Sequence, residues 1–184
     1  MRRDPSSIGK LFLLLALLIA PAAASAQESY NYSVGILGGL GGSLDADPGD
    51  SLTNTGFQLN LSMVTEPQTH VGIRAGQLKL DEDEVFNSLT DADLSYVTVG
   101  GEYRFRQSFY ESGIYIALGG YRLEGTGLDL RDRSDTALGL SIGVTGEFEI
   151  TRWMGVLVEL SGHYADLDES QLFGLGHAGL TFHF

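Results

Sequence analysis

Glu159, Ser161 and His163 occupy alternate positions near the end of the chain. They are the residue types of the acid, nucleophile and base of a hydrolytic triad. In an extended strand, residues i and i+2 share a face and lie about 6.8 Å apart, so Ser161 and His163 can approach each other. The chemistry open to them is acyl transfer. That chemistry also needs donors aimed at a developing oxyanion, and the sequence identifies none. Val156, Val158 and Leu160 alternate with the trio and occupy the opposite, apolar face. The trio therefore reads as polar residues turned inward and hydrogen-bonded to one another, and no catalytic residue is assigned.

A second set of ionisable residues lies in the middle of apolar-polar segments: Arg74, Glu102, Arg104, Glu147 and Glu159. Buried charges without partners cost several kcal/mol, roughly 3–5 when one member of a pair is removed. Cross-strand pairs should therefore join Arg74 and Arg104 to these glutamates, with His163 and His177 as further donors. Two acidic runs, Asp45-x-Asp47-x-x-Asp50 and Asp81-Glu82-Asp83-Glu84, offer hard oxygen ligands. Pro48-Gly49 breaks the spacing of a calcium loop and no glutamate closes it. They read as solvated acidic surface, and neither a metal nor a cofactor is assigned. Arg122 is the one cation on an otherwise apolar face. It either snorkels to an interface, meets a lipid phosphate, or is turned inward by a bulge.

The elements that position these residues alternate with period two, the mark of half-buried strands. In Phe57-Gln58-Leu59-Asn60-Leu61-Ser62-Met63 every odd position is apolar. In 138–150 the even positions are, and Met154, Val156, Val158 and Leu160 form a third clear row. Weaker rows run over 30–36, 71–75, 97–105 and 114–118, and 173–184 is the eighth. The polar faces combine mid-strand charges with many of the 25 glycines. Small residues that make room for a few long charged ones suit the interior of an eight-stranded barrel, which is only wide enough to be filled by its own side chains. The apolar faces would then meet lipid.

The connections alternate in length. Residues 64–70, 106–112 and 150–153 are short, whereas 41–54, 81–93, 124–135 and 165–171 are longer and acidic. Short turns on one side and long loops on the other belong to outer-membrane barrels. An even strand count returns both termini to the inner, periplasmic side. Tyr30, Tyr32, Tyr103, Phe105, Phe148, Phe182 and Phe184 would form one aromatic girdle, and Phe57, Tyr121, Tyr164 and Phe173 the other. Residues 1–26 carry Arg2, Arg3 and Lys10, then an apolar run, then Ala24-Ser25-Ala26. This is the layout of a cleaved secretory signal, too short to span a bilayer as a helix, and it leaves 27–184 as the barrel. A formal charge of −13 excludes nucleic-acid binding. The absence of cysteine excludes disulfides. A hydrophobic content of 43% argues against disorder.

Signal, eight alternating segments, short inner turns and the ending Leu180-Thr181-Phe182-His183-Phe184 together resemble the small outer-membrane β-barrel proteins. These comprise the OmpX/Ail group, the OmpA membrane domain and the outer membrane protein beta-barrel domain family. The resemblance implies an all-β, eight-stranded antiparallel transmembrane up-and-down barrel in the outer membrane of a diderm bacterium. It implies a non-enzymatic monomer among lipid and lipopolysaccharide, with long loops outside the cell. It also implies that Leu180, Phe182 and Phe184 are read by the barrel-assembly machinery. His183 stands where many relatives have a basic residue. Some small barrels of this kind are lipid A deacylases, and a narrow gated pore is a further alternative. A lipid-modifying site would need polar residues breaking the lipid-facing row, and only Arg122 does so.

Overall fold

A computed structural model of the protein describes residues 31–44, 54–80, 89–106, 110–127, 129–167 and 171–184. The proposed signal segment 1–26, the girdle residue Tyr30 and the acidic runs 45–50 and 81–84 lie outside the described residues. The strands are β1 (Tyr32–Ser43), β2 (Asn54–Glu66), β3 (Thr69–Leu80), β4 (Leu89–Arg106), β5 (Tyr110–Gly127), β6 (Asp132–Thr151), β7 (Met154–Ala165) and β8 (Leu172–His183). Each pairs antiparallel with its neighbour in sequence, and β1 pairs with β8 to close the barrel. Closure matters because an open edge leaves backbone donors and acceptors without partners. The last residue takes part in it: Tyr32 N–H donates to Phe184 O at 3.2 Å and Phe184 N–H to Tyr32 O at 2.9 Å.

The period-two pattern sets which way each side chain points. Ile36, Leu61, Ile73, Val97, Val99, Ile116, Leu118, Ile142, Leu160 and Leu180 are all exposed on the outer surface. Their neighbours Asn60, Arg74, Thr98, Tyr115, Ala117, Ser141, Glu159 and Thr181 are buried inside. A soluble β-barrel would do the reverse. Tyr32, Tyr103, Phe105, Phe148 and Trp153 are exposed at the end that holds the termini, and Phe57 and Tyr164 towards the other. Trp153 stacks on Phe182 with ring centroids 6.2 Å apart.

The strand and layer arrangement departs from the sequence reading in two respects. Tyr121 and Phe173 are not in an outer girdle: both are buried inside the barrel, 1% and 0% exposed. They belong to an apolar layer with Leu78, Leu80, Leu94, Tyr96, Leu123, Leu167 and Leu175 that fills the lumen at the end away from the termini. The charged part of the interior lies in the half nearer the termini, while Ser43 and Asn54 are buried at the other end. The segment 124–135 is also largely strand: β5 and β6 run on to Gly127 and Asp132 around a tight turn. These strands have 18 and 20 residues, against 12 in β1, β3, β7 and β8. Where both faces of a sheet meet water, the apolar-polar alternation vanishes and strand looks like loop.

Candidate functional site

The polar half of the lumen is one connected network built from alternate residues of β2 to β8. Glu159 on β7 is its centre and is 0% exposed. Arg74 Nε donates to Glu159 Oε2 at 3.1 Å, and Gln58 Nε2, Asn60 Nδ2 and the Tyr115 hydroxyl reach the same carboxylate at 3.0, 3.4 and 2.8 Å. Arg74 Nη2 continues to Glu102 Oε2 at 2.8 Å. Arg104 carries the chain further, Nε to Glu102 Oε1 at 2.8 Å and Nη1 to Glu147 Oε2 at 2.9 Å. Thr181 and His183 meet Glu147 Oε1, each at 2.6 Å. The guanidinium of Arg74 lies 3.5 Å from the centroid of the Tyr115 ring, a cation–π contact in a desolvated setting.

The physical logic is that of buried ion pairs: they hold only if every oxygen and N–H finds a partner. Three carboxylates, two guanidiniums and neutral donors come close to that requirement, with Asn60 Oδ1 the network atom left without a partner among the described residues. Glycine makes the space. A Cβ on Gly119 would lie 2.0 Å from the carbonyl oxygen of Val97, and one on Gly100 2.1 Å from that of Ile116. Inward positions such as these have no room for a side chain.

Arg74, Arg104, Glu102, Glu147 and Glu159 thus meet in the structure. His163 and His177 do not enter the ion-pair chain. His163 sits above it, with Nδ1 at 3.0 Å from the Tyr121 hydroxyl and Nε2 at 2.9 Å from Ser161 Oγ, and its ring packs 4.9 Å from that of Tyr96. His177 is buried opposite Glu159 in the register of β7 and β8, and its Nδ1 meets no partner among the described residues. The histidine that reaches a glutamate is His183. Gln58, Asn60, Tyr115, Thr145 and Thr181 complete the network and carry one sequence signal, their parity on the polar face.

For Glu159, Ser161 and His163, the geometry gives Ser161 a histidine partner. The acid is elsewhere engaged: Tyr121, not Glu159, meets the far nitrogen of His163. All three face the packed interior. Arg122 points outward, without a bulge, and pairs with Glu124 on the same strand. Among the described residues no group of three or more His, Cys, Asp or Glu side chains could hold a metal ion. Leu180 is exposed on the outer surface, while Phe182 and Phe184 are half-buried beside Trp153 and the β1–β8 seam.

Comparison with known proteins agrees with this geometry. Residues 11–182 match the family described as outer membrane protein beta-barrel domain. No curated protein sequence matches the chain. Among solved structures, Neisserial surface protein A superimposes with a TM-score of 0.65 at 16% identity, covering 85% of this chain and 98% of that one. Ail, the attachment invasion locus protein of Yersinia pestis, gives 0.55 at 17% identity, covering 84% and 97%. The N-terminal β-barrel domain of Pseudomonas aeruginosa OprF gives 0.53 at 14%, covering 83% and 97%. At such identities the likeness is one of fold.

Proposed function

The chain belongs to the outer membrane protein beta-barrel domain family, and from that premise we propose that it is a sealed surface barrel of the outer membrane. Its lumen is structural, its acidic loops face the cell exterior, and both termini lie in the periplasm. It does no chemistry on lipid and binds no cofactor. It stands as a monomer among lipid and lipopolysaccharide, and the barrel-assembly machinery inserts it through Leu180, Phe182 and Phe184. Residues 1–26 direct its export and are removed.

The observation that carries this reading is the double closure of the lumen. Glu159, with four donors on its carboxylate, sits beneath the apolar layer of Leu78, Leu94, Leu123, Phe173 and Leu175. A conducting or catalytic barrel keeps a wet path or an accessible polar group, whereas a packed polar network gains its stability from exclusion of water. With no work for the interior to do, function moves to the parts that protrude. The structural neighbour named for attachment and invasion fits such a role.

Orientation and exposure are testable because the natural chain has no cysteine. A single Leu130→Cys variant should be labelled on intact cells by a membrane-impermeant maleimide. Cysteine placed at Arg152, in the turn between β6 and β7, should react only after lysis. The opposite pattern, or a freely soluble periplasmic protein, would overturn the reading.

A further inference from the structure

β1 and β8 are the one pair of strands that are neighbours in the barrel but do not follow each other in the chain. No turn joins them, so no turn holds their ends together. The period-two pattern forbids a slip of one residue, which would turn every side chain over, but it does not stop the end of β8 from opening. We infer that Glu147, on β6, is a latch that reaches over β7 and holds the end of β8 shut against β1.

The contact spans two strand spacings, about 9.5 Å. It crosses β7 at Gly155, which lies directly opposite Thr181 of β8. A Cβ on Gly155 would lie 2.8 Å from Glu147 Oε1 and 3.2 Å from Glu147 Cγ, so the missing side chain is the passage. Beyond it, Oε1 accepts from the Thr181 hydroxyl and from His183 Nε2, each at 2.6 Å. An ionised carboxylate is an acceptor only, and hydrogen bonds to it are stronger than those between neutral groups. The same arrangement links β6 to β4. Thr145 donates to Glu102 at 2.8 Å, and a Cβ on the intervening Gly113 of β5 would lie 2.6 Å from Glu102 Oε1.

The latch acts where the seam ends. Phe184 and Tyr32 exchange backbone hydrogen bonds across it, and His183 N–H donates to Trp153 O at 2.9 Å. From the outer side Trp153 stacks on Phe182; from the lumen Glu147 grips the residues on either side of Phe182. The other oxygen of the latch, Oε2, holds Arg104 at 2.9 Å, and Arg104 holds Glu102. Closure of the seam is thereby coupled to the ion-pair chain. An open β8 end takes two donors away from a carboxylate that the barrel buries, and a displaced Glu147 leaves the β8 end with its backbone bonds and the tryptophan stack.

Hydrogen exchange of the refolded barrel in detergent reads this coupling amide by amide. Gly155→Ala fills the passage and pushes the Glu147 head group aside, while the nearest backbone atom, Phe148 O, lies 3.1 Å from the new Cβ. Thr181→Val combined with His183→Phe removes both donors and leaves Glu147 on Arg104. By the alternation of antiparallel ladders, Val34 and Phe182 bond to each other as Tyr32 and Phe184 do. In either variant the amides of Val34, Phe182 and Phe184 should exchange about tenfold faster or more, the scale of one lost hydrogen bond to a charged group. Those of Val99 and Ile116, on the opposite wall, should keep their natural rates. Gly155→Ala added to the double variant should change the seam no further, because the latch is already released. Heat-modifiability on gels shows which variants fold, and if Gly155→Ala does not, the seam amides of the double variant decide alone. Unchanged exchange at the seam, equal acceleration on both walls, or additive effects of the two changes would overturn the proposal.

Discussion

Replacing Arg74 by methionine is the sharpest perturbation of the lumen, because its consequences for the two carboxylates differ. Glu102 keeps Arg104 at 2.8 Å and Thr145 at 2.8 Å. Glu159 keeps Gln58, Asn60 and Tyr115, but Arg74 is the only cation within ion-pair distance of it among the described residues. The variant thus leaves a fully buried carboxylate with neutral donors and no counter-charge. Breaking a buried pair from one side costs about 3–5 kcal/mol, and loss of the stacking on Tyr115 adds about 1 kcal/mol. Glu159→Gln should cost less, about 1–3 kcal/mol, since Arg74 retains Glu102. In the Arg74→Met background the sign should reverse: Glu159→Gln then removes the stranded charge and restores stability. Urea unfolding of the refolded barrel in detergent, followed through the single tryptophan, measures all four species of the cycle. Trp153 reports on the strand ends because it stacks on Phe182. If Arg74→Met costs less than about 1 kcal/mol, or if Glu159→Gln destabilises equally in both backgrounds, the network does not act as a buried ion-pair chain.

Three further outcomes follow from the same geometry. Gly119→Val should prevent folding, because its Cβ would lie 2.0 Å from a backbone oxygen, whereas Gly120→Val, with nothing within 4 Å of its Cβ, should fold normally; heat-modifiability on gels separates the two. Deleting Phe184, whose backbone closes the β1–β8 seam, should slow assembly in cells more than shortening residues 45–53; pulse-chase folding assays report the difference. Phe173→Ala should lower stability by about 3–5 kcal/mol through a cavity in the apolar layer, readable in the same urea titration.

Much of this architecture was legible because the outward belt and the polar lumen impose opposite demands on successive residues. Phe57 to Met63 and Leu138 to Ile150 show it plainly, and parity alone points Arg74, Glu102, Arg104, Glu147 and Glu159 inward. Two things escaped for physical reasons. The lumen changes character along its axis, so Tyr121 and Phe173 lie inside an apolar layer that no local pattern separates from an outer girdle. Beyond the apolar belt both faces of β5 and β6 are polar, so 124–135 carries no alternation although most of it is strand. Partner choice within the network was likewise hidden: parity places His163 and His183 on one face but does not say that the first meets Tyr121 and the second Glu147.

The central claim is that the interior is closed by the Glu159 network and by the apolar layer above it. Planar-bilayer recording of the pure, refolded barrel tests this directly. The account predicts a bilayer that stays silent, for the natural protein and for Glu159→Gln alike, since the layer of Leu78, Leu94, Leu123, Phe173 and Leu175 remains in place. Steady, ohmic unit conductance from the natural protein would contradict it.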